Sequence, residues 1–183
     1  MNEDFILAMQ SNIGCAVIMA GSISDINHIH EIVKSLEMYE IPYDIRICSA
    51  HKQPDKLMDI INEYNGVSGL MAYIAVAGGT DALSGTLSYH ALGPVISCPP
   101  DSPNASCLNN PSGSSNAYIA KPENVGRFIA QMYAAVNPKY KSIIEEEKTE
   151  KISKLKKADY EKQEIAKYRR ELKKHKDNLK WTI

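Results

Sequence analysis

The chain lacks a charge imbalance, a long hydrophobic run and any paired-cysteine motif, and each absence removes a class of function. Its 183 residues carry 21 Lys plus Arg against 22 Asp plus Glu, a formal net charge of −1. That balance gives no electrostatic reason to expect nucleic acid or an anionic membrane as partner. The longest apolar stretches, such as GLMAYIAVA at 69–77, fall well short of the roughly 20 residues that a membrane span needs. The opening MNEDFILAMQ is acidic and carries no basic region with a cleavage site, so no secretory signal is expected. Four cysteines, at 15, 48, 98 and 107, never stand in CxxC spacing. That argues against a disulfide framework or a zinc site, and Cys15 and Cys48 read as small core residues in strands. The expected location is cytoplasmic and reducing.

What is present is the composition of an ordinary globular chain, 44% hydrophobic and 23% charged. The length suits one domain with a full core, plus an appendage. CAVIMA (15–20) is a continuous apolar run followed by the loop GSISD. INHIHEIVKSLEMYE (26–40) then carries Ile29, Ile32, Val33, Leu36 and Tyr39 at amphipathic-helix spacing. Pro42 separates it from YDIRIC (43–48), a second strand. DKLMDIINEY (55–64) repeats the helical spacing, and Gly66 can stop it. A third strand at 69–77 is broken by Gly78-Gly79. A short helix over TDALSGTLSYHA leads through Gly93-Pro94 to VISC, a fourth strand. A loop rich in Pro, Ser and Asn fills 99–116. AYIA is a fifth strand, and PENVGRFIAQMYAAV a further helix with Pro122 near its first turn.

Strands that alternate with helices, and are apolar throughout, predict a parallel sheet covered on both faces. The simplest arrangement is a five-stranded, doubly wound, flavodoxin-like order. Composition shifts near residue 138, which divides the chain into a 1–138 domain and a 139–183 extension. Lys, Glu and Arg dominate 141–180, with an imperfect apolar stripe at Ile152, Leu155, Ile165, Tyr168, Leu172 and Leu179. This reads as solvated helix, or as a tail that wraps a neighbouring subunit.

Three strand ends carry loops with chemical potential. In GSISD, Gly21 can take a tight turn and Ser22 can cap the next helix, leaving N–H groups suited to a phosphate. Asp25 is either the far end of a Ser22-x-x-Asp25 capping box or an acceptor for a ribose hydroxyl. In CSAHKQP (48–54), Ser49 and Lys52 could hold an anion while His51 works as acid or base near neutral pH. In AVAGGTDALSG (75–85), Gly78 and Gly79 let the backbone approach a ligand with no Cβ in the way. Loops at neighbouring strand ends of a doubly wound sheet surround one crevice. His28 and His30 on the first helix, His90 near a helix end and His175 in the tail are weaker candidates.

MAGSISD, SAHKQPDKL, VAGGTDALSG, PVISCPP and NPSG, taken in this order, resemble one family. It comprises the aminoimidazole ribonucleotide (AIR) carboxylases and carboxyaminoimidazole ribonucleotide mutases of purine biosynthesis. The resemblance implies a three-layer α/β/α sandwich, usually assembled as a homo-octamer, with no metal or organic cofactor. The mutase branch typically has Arg after SAH and moves a carboxyl from the exocyclic nitrogen to ring carbon C4. The carboxylase branch typically has Lys there and uses carbon dioxide directly. SAHK, SCPP and the long C-terminal extension are similar to the carboxylase branch.

By the same resemblance, Ser22 and Asp25 contact ribose and phosphate. Ser49 and Lys52 hold the substrate, and His51 is the general acid/base. Gly78 and Gly79 line the carbon dioxide pocket, and Ser84 joins the substrate-binding set. Two stretches depart from the branch. AGGTD (77–81) stands where AGRSN is usual, so Gly79 replaces an arginine and Asp81 adds a negative charge. The loop over 101–110 is shorter, and LNNPSG puts Asn109 in the place of an arginine.

Overall fold

The computed structural model describes residue 1 and residues 3–179. Five strands form one all-parallel sheet in the order β2-β1-β3-β4-β5. They are β1 (Cys15–Ala20), β2 (Tyr43–Ile47), β3 (Met71–Val76), β4 (Val95–Ser97) and β5 (Ala117–Tyr118). Every residue of β1 and β3 is buried, as an apolar run in the middle of a doubly covered sheet demands. At the β2 edge burial is partial, and Ile45 and Ile47 keep exposed side chains.

The helices are α1 (Glu3–Gln10), α2 (Ile26–Met38), α3 (Pro54–Asn65), α4 (Ala82–His90), α5 (Val125–Tyr133) and α6 (Pro138–Leu179). In α2 the buried residues Ile29, Ile32 and Leu36 recur at the expected spacing. Likewise α3 opens on Pro54 and buries Leu57, Ile60, Ile61 and Tyr64 before Gly66 ends it. One core cluster packs residues of α2 and α5 on one face of the sheet, around Ile18, Ile74 and Ile96. The other packs α1, α3 and α4 against Val17, Met19 and Tyr73. Three α/β/α layers result, as the sequence pattern predicts.

Some boundaries differ from the sequence reading. Helix α1 was not anticipated: it is short, and only Phe5 and Met9 are buried. The fifth strand is two residues long, Ala117–Tyr118, beside a β4 that itself ends at Ser97. All four cysteines are free and buried, and burial pushes the Cys15 and Cys98 thiols up to about 12.

The chain divides into two compact units, the first covering Met1–Ile144 and the second beginning at Glu145. In the second unit Ile152, Leu155, Ile165, Tyr168 and Leu172 of the expected stripe are exposed. Glu150–Lys154 and Glu147–Lys151 ion pairs, four residues apart, support this stretch of helix. The side chains of His175 and Leu179, and residues 180–183 of the expected extension, lie outside the described residues. Among the described residues no helix is long and apolar enough to cross a membrane.

Candidate active site

In the strand order β2-β1-β3-β4-β5 the chain runs from β1 out to β2, then returns to the other side of β1 for β3. The loops after β1 and β3 therefore part at their carboxyl ends and leave a crevice at this switch point. Main-chain bonds fix its floor: Gly21 N–H donates to Val76 O at 2.9 Å, and Cys48 N–H donates to Ala20 O at 2.8 Å.

The crevice encloses about 280 Å³. Gly21, Ser22, Ser24 and Asp25 line it from the β1 loop, and Ser49, Ala50 and His51 from the β2 loop. Ala77, Gly78, Thr80, Ala82 and Leu83 line it from the β3 side. All three loops singled out in the sequence thus meet at one place. Four hydroxyls, one carboxylate and one imidazole face a shared space, a set that suits a sugar phosphate beside a single acid/base group.

The first loop is a 3-10 turn over Ile23–Asp25 that leads into α2. Ser22 Oγ accepts the Ser24 N–H at 3.2 Å, and the Ser24 hydroxyl lies 2.7 Å from Ser22 Oγ. A reciprocal capping box is not formed, because Ser22 Oγ bonds the N–H of residue 24 rather than 25. Asp25 begins α2 without a side-chain cap bond, and its carboxylate is left at the crevice. In the second loop Ser49 Oγ accepts the Lys52 N–H at 3.3 Å, and Ser49 O accepts the Gln53 N–H at 2.9 Å. This turn sets His51 on the crevice rim. Lys52 is exposed and outside the lining.

In the third loop Gly78 is part of the lining but Gly79 is not. Asp81 is buried and caps α4, its Oδ1 accepting the Ser84 N–H at 2.9 Å, so its charge is used at the helix start. Ser84 lies fully buried behind the lining, and its hydroxyl has no hydrogen-bond partner among the described residues. Asn109, exposed, donates to Ala105 O at 2.8 Å within its own loop. Among the described residues no group of three or more His, Cys, Asp or Glu is placed to hold a metal ion.

The AIR carboxylase family model matches residues 15–154, most of the chain and every loop of the crevice. The chain belongs to the AIR carboxylase family. It is 36% identical over 138 residues to the mouse bifunctional phosphoribosylaminoimidazole carboxylase/phosphoribosylaminoimidazole succinocarboxamide synthetase, covering 72% of this chain and 32% of that protein. The chain thus spans about a third of the length of that relative. A phosphoribosylaminoimidazole carboxylase from Treponema denticola is 35% identical over 124 residues, 64% of this chain and 78% of its own length. The crystal structure of Treponema denticola PurE superposes with a TM-score of 0.77 at 29% identity, covering 81% of this chain and 98% of that one. The carbon dioxide-using branch anticipated from SAHK and SCPP is consistent with these relatives.

Sequence reasoning missed part of this family member's crevice. Ser24, Ala50, Thr80 and Leu83 join the lining, although all four sit inside motifs already singled out. His28 was set aside as a helix residue. Its Nε2 lies 3.0 Å from Cys98 O, tying the first turn of α2 to the carboxyl end of β4. No local signal marks that contact, which joins residues 70 apart.

Proposed function

We propose that this chain carboxylates aminoimidazole ribonucleotide at C4 with carbon dioxide. The observation that carries the reading is one crevice at the β1/β3 switch point, lined by the GSISD loop, by Ser49, Ala50 and His51 of SAHK and by Gly78 of the glycine pair, with His51 at its rim. Ser22, Ser24 and Ser49 would hold phosphate and ribose through hydroxyl and backbone donors, with Asp25 accepting from a ribose hydroxyl. Lys52 would add a point charge at the entrance. The aminoimidazole ring is electron-rich, so C4 behaves as an enamine carbon and attacks carbon dioxide. The new C–C bond carries the carboxylate, His51 takes the C4 proton, and the ring regains its aromaticity. Confinement beside Gly78 would supply much of the rate.

Residues 1–138 would form the catalytic domain and 139–183 the charged helical extension, in a cytoplasmic homo-octamer. Exposed Ile45 and Ile47 on the edge strand β2 support self-association. The test is an assay with AIR and bicarbonate without ATP, and separately with the carbamate, carboxyaminoimidazole ribonucleotide bearing its carboxyl on nitrogen. Product from AIR and dissolved carbon dioxide is expected. Turnover of the carbamate alone would make the chain a mutase, and silence in both would overturn the reading.

A further inference from the structure

The peptide of Gly79 is held on both sides by a loop that does not itself line the crevice. Its N–H donates to Asp101 Oδ2 at 2.7 Å. Its carbonyl accepts from Asn104 Nδ2 at 2.9 Å, with Ser106 Oγ at 3.1 Å. Asn104, almost fully buried, also donates to Asp101 Oδ1 at 3.0 Å, and its Oδ1 accepts the Ser106 N–H at 2.9 Å. Ser106 Oγ in turn accepts the Asp81 N–H at 2.8 Å. Gly78 fits under the same loop: a Cβ there would stand 3.3 Å from Asp101 Oδ1 and 3.4 Å from a Pro100 side-chain carbon.

This arrangement has a direct consequence for the crevice. Gly79 sits at φ +66, and both of its polar groups face the 101–106 loop. Its neighbours Gly78 and Thr80 are the residues of the turn that face the ligand space. Because β1 lies between β2 and β3, this turn forms the wall opposite the loop carrying His51. With the substrate ring bound in the crevice as proposed, its position would set the distance between that ring and the imidazole.

We infer that Asp101 and Asn104 are positioning residues that hold the Gly78–Thr80 wall against His51 by engaging both polar groups of the Gly79 peptide. Neither side chain needs to touch substrate. A wall that drifts leaves the phosphate and ribose contacts of the first two loops in place and misaligns only the ring. The effect falls on kcat rather than KM, since misplacement of about 1 Å costs roughly a hundredfold in rate.

The kinetic arm of the test rests on the proposed carboxylase reading, and a second arm does not. Hydrogen–deuterium exchange by mass spectrometry on the full chain follows the segment 77–83 in Asp101→Ala, Asp101→Asn and Asn104→Ala. In Asp101→Ala that segment is expected to exchange at least about tenfold faster while 71–76 is unchanged. The kcat with AIR is expected to fall about tenfold to a hundredfold, with KM within about threefold. Asp101→Asn keeps an oxygen acceptor for the Gly79 N–H and is expected to recover part of both effects. Unchanged exchange in 77–83, or a loosened segment with unchanged kcat, overturns the inference. If Asp101→Ala loosens 71–76 as well, the milder Asn variant decides by the same two readouts. If the unsubstituted chain turns over neither substrate, the carboxylase reading fails and the exchange arm alone decides whether the clamp exists.

Discussion

Gly126 of α5 meets Ser35 of α2 almost backbone to backbone. The Gly126 N–H donates to Ser35 Oγ at 2.8 Å, the Ser35 hydroxyl donates to Glu123 O at 2.9 Å, and a Cβ at 126 would stand 2.0 Å from Ser35 O. Helix α2 follows directly on Asp25, so this contact fixes the element that carries the first loop of the crevice.

Gly126→Ala therefore forces the two helices apart. Overpacking of this kind costs about 1–3 kcal/mol, and Ser35→Ala, which leaves a buried N–H unpaired, costs a similar ~1–3 kcal/mol. Urea unfolding should show both as lower midpoints with unchanged m-values. Midpoints equal to that of the native chain would refute the close-contact account.

His51→Asn removes the imidazole from the crevice rim and leaves the hydroxyls untouched. The expected result is a kcat lowered by about 10²–10⁴-fold, with AIR affinity by calorimetry nearly unchanged. A variant that still turns over at the native rate removes His51 from the proton transfer.

Asp101 carries a pH signature of its own. Its hydrogen bond from Asn104, and that from the Gly79 N–H, hold its carboxyl below the ordinary carboxylate range. A depressed folded value stabilises the fold above the unfolded value of about 4, and that contribution is lost as pH falls through the folded value. The stability gap between the native chain and Asp101→Asn should be widest above about pH 4 and close below it. Because Asp101 is exposed, solvent keeps the gap small. A gap that widens on acidification would contradict the geometry.

A chain ending at Ile144 should keep one cooperative unfolding transition, because every residue of both core clusters lies at or before that position. Sedimentation of this shortened chain then tests the exposed stripe of Ile152, Leu155, Ile165, Tyr168 and Leu172. An unchanged oligomer leaves the extension as solvated helix, and a smaller one assigns those side chains to a neighbouring subunit.

Much of the scaffold was legible because its signals are local. The apolar runs of β1 and β3 and the spacing of Leu57, Ile60, Ile61 and Tyr64 on α3 report a buried face within one element. The loops GSISD, SAHK and AGG could be read as a set because strand ends of a parallel sheet share one edge. Helix α1 escaped because a single pair, Phe5 and Met9, carries its buried face.

The sequence by itself determined the alternation of strands and helices, the family, and which three loops would share a crevice. Tertiary structure alone decided which residues of those loops face it. His51 is at the rim while its neighbour Lys52 is exposed outside the lining, and Asp81 serves a helix start instead of the crevice. It also decided that Asp101 and Asn104 support Gly79 across more than 20 residues of chain. The physical reason is range. Periodicity and turn chemistry act over a few neighbouring residues, whereas a hydrogen bond between two loops exists only once the sheet has brought their ends together.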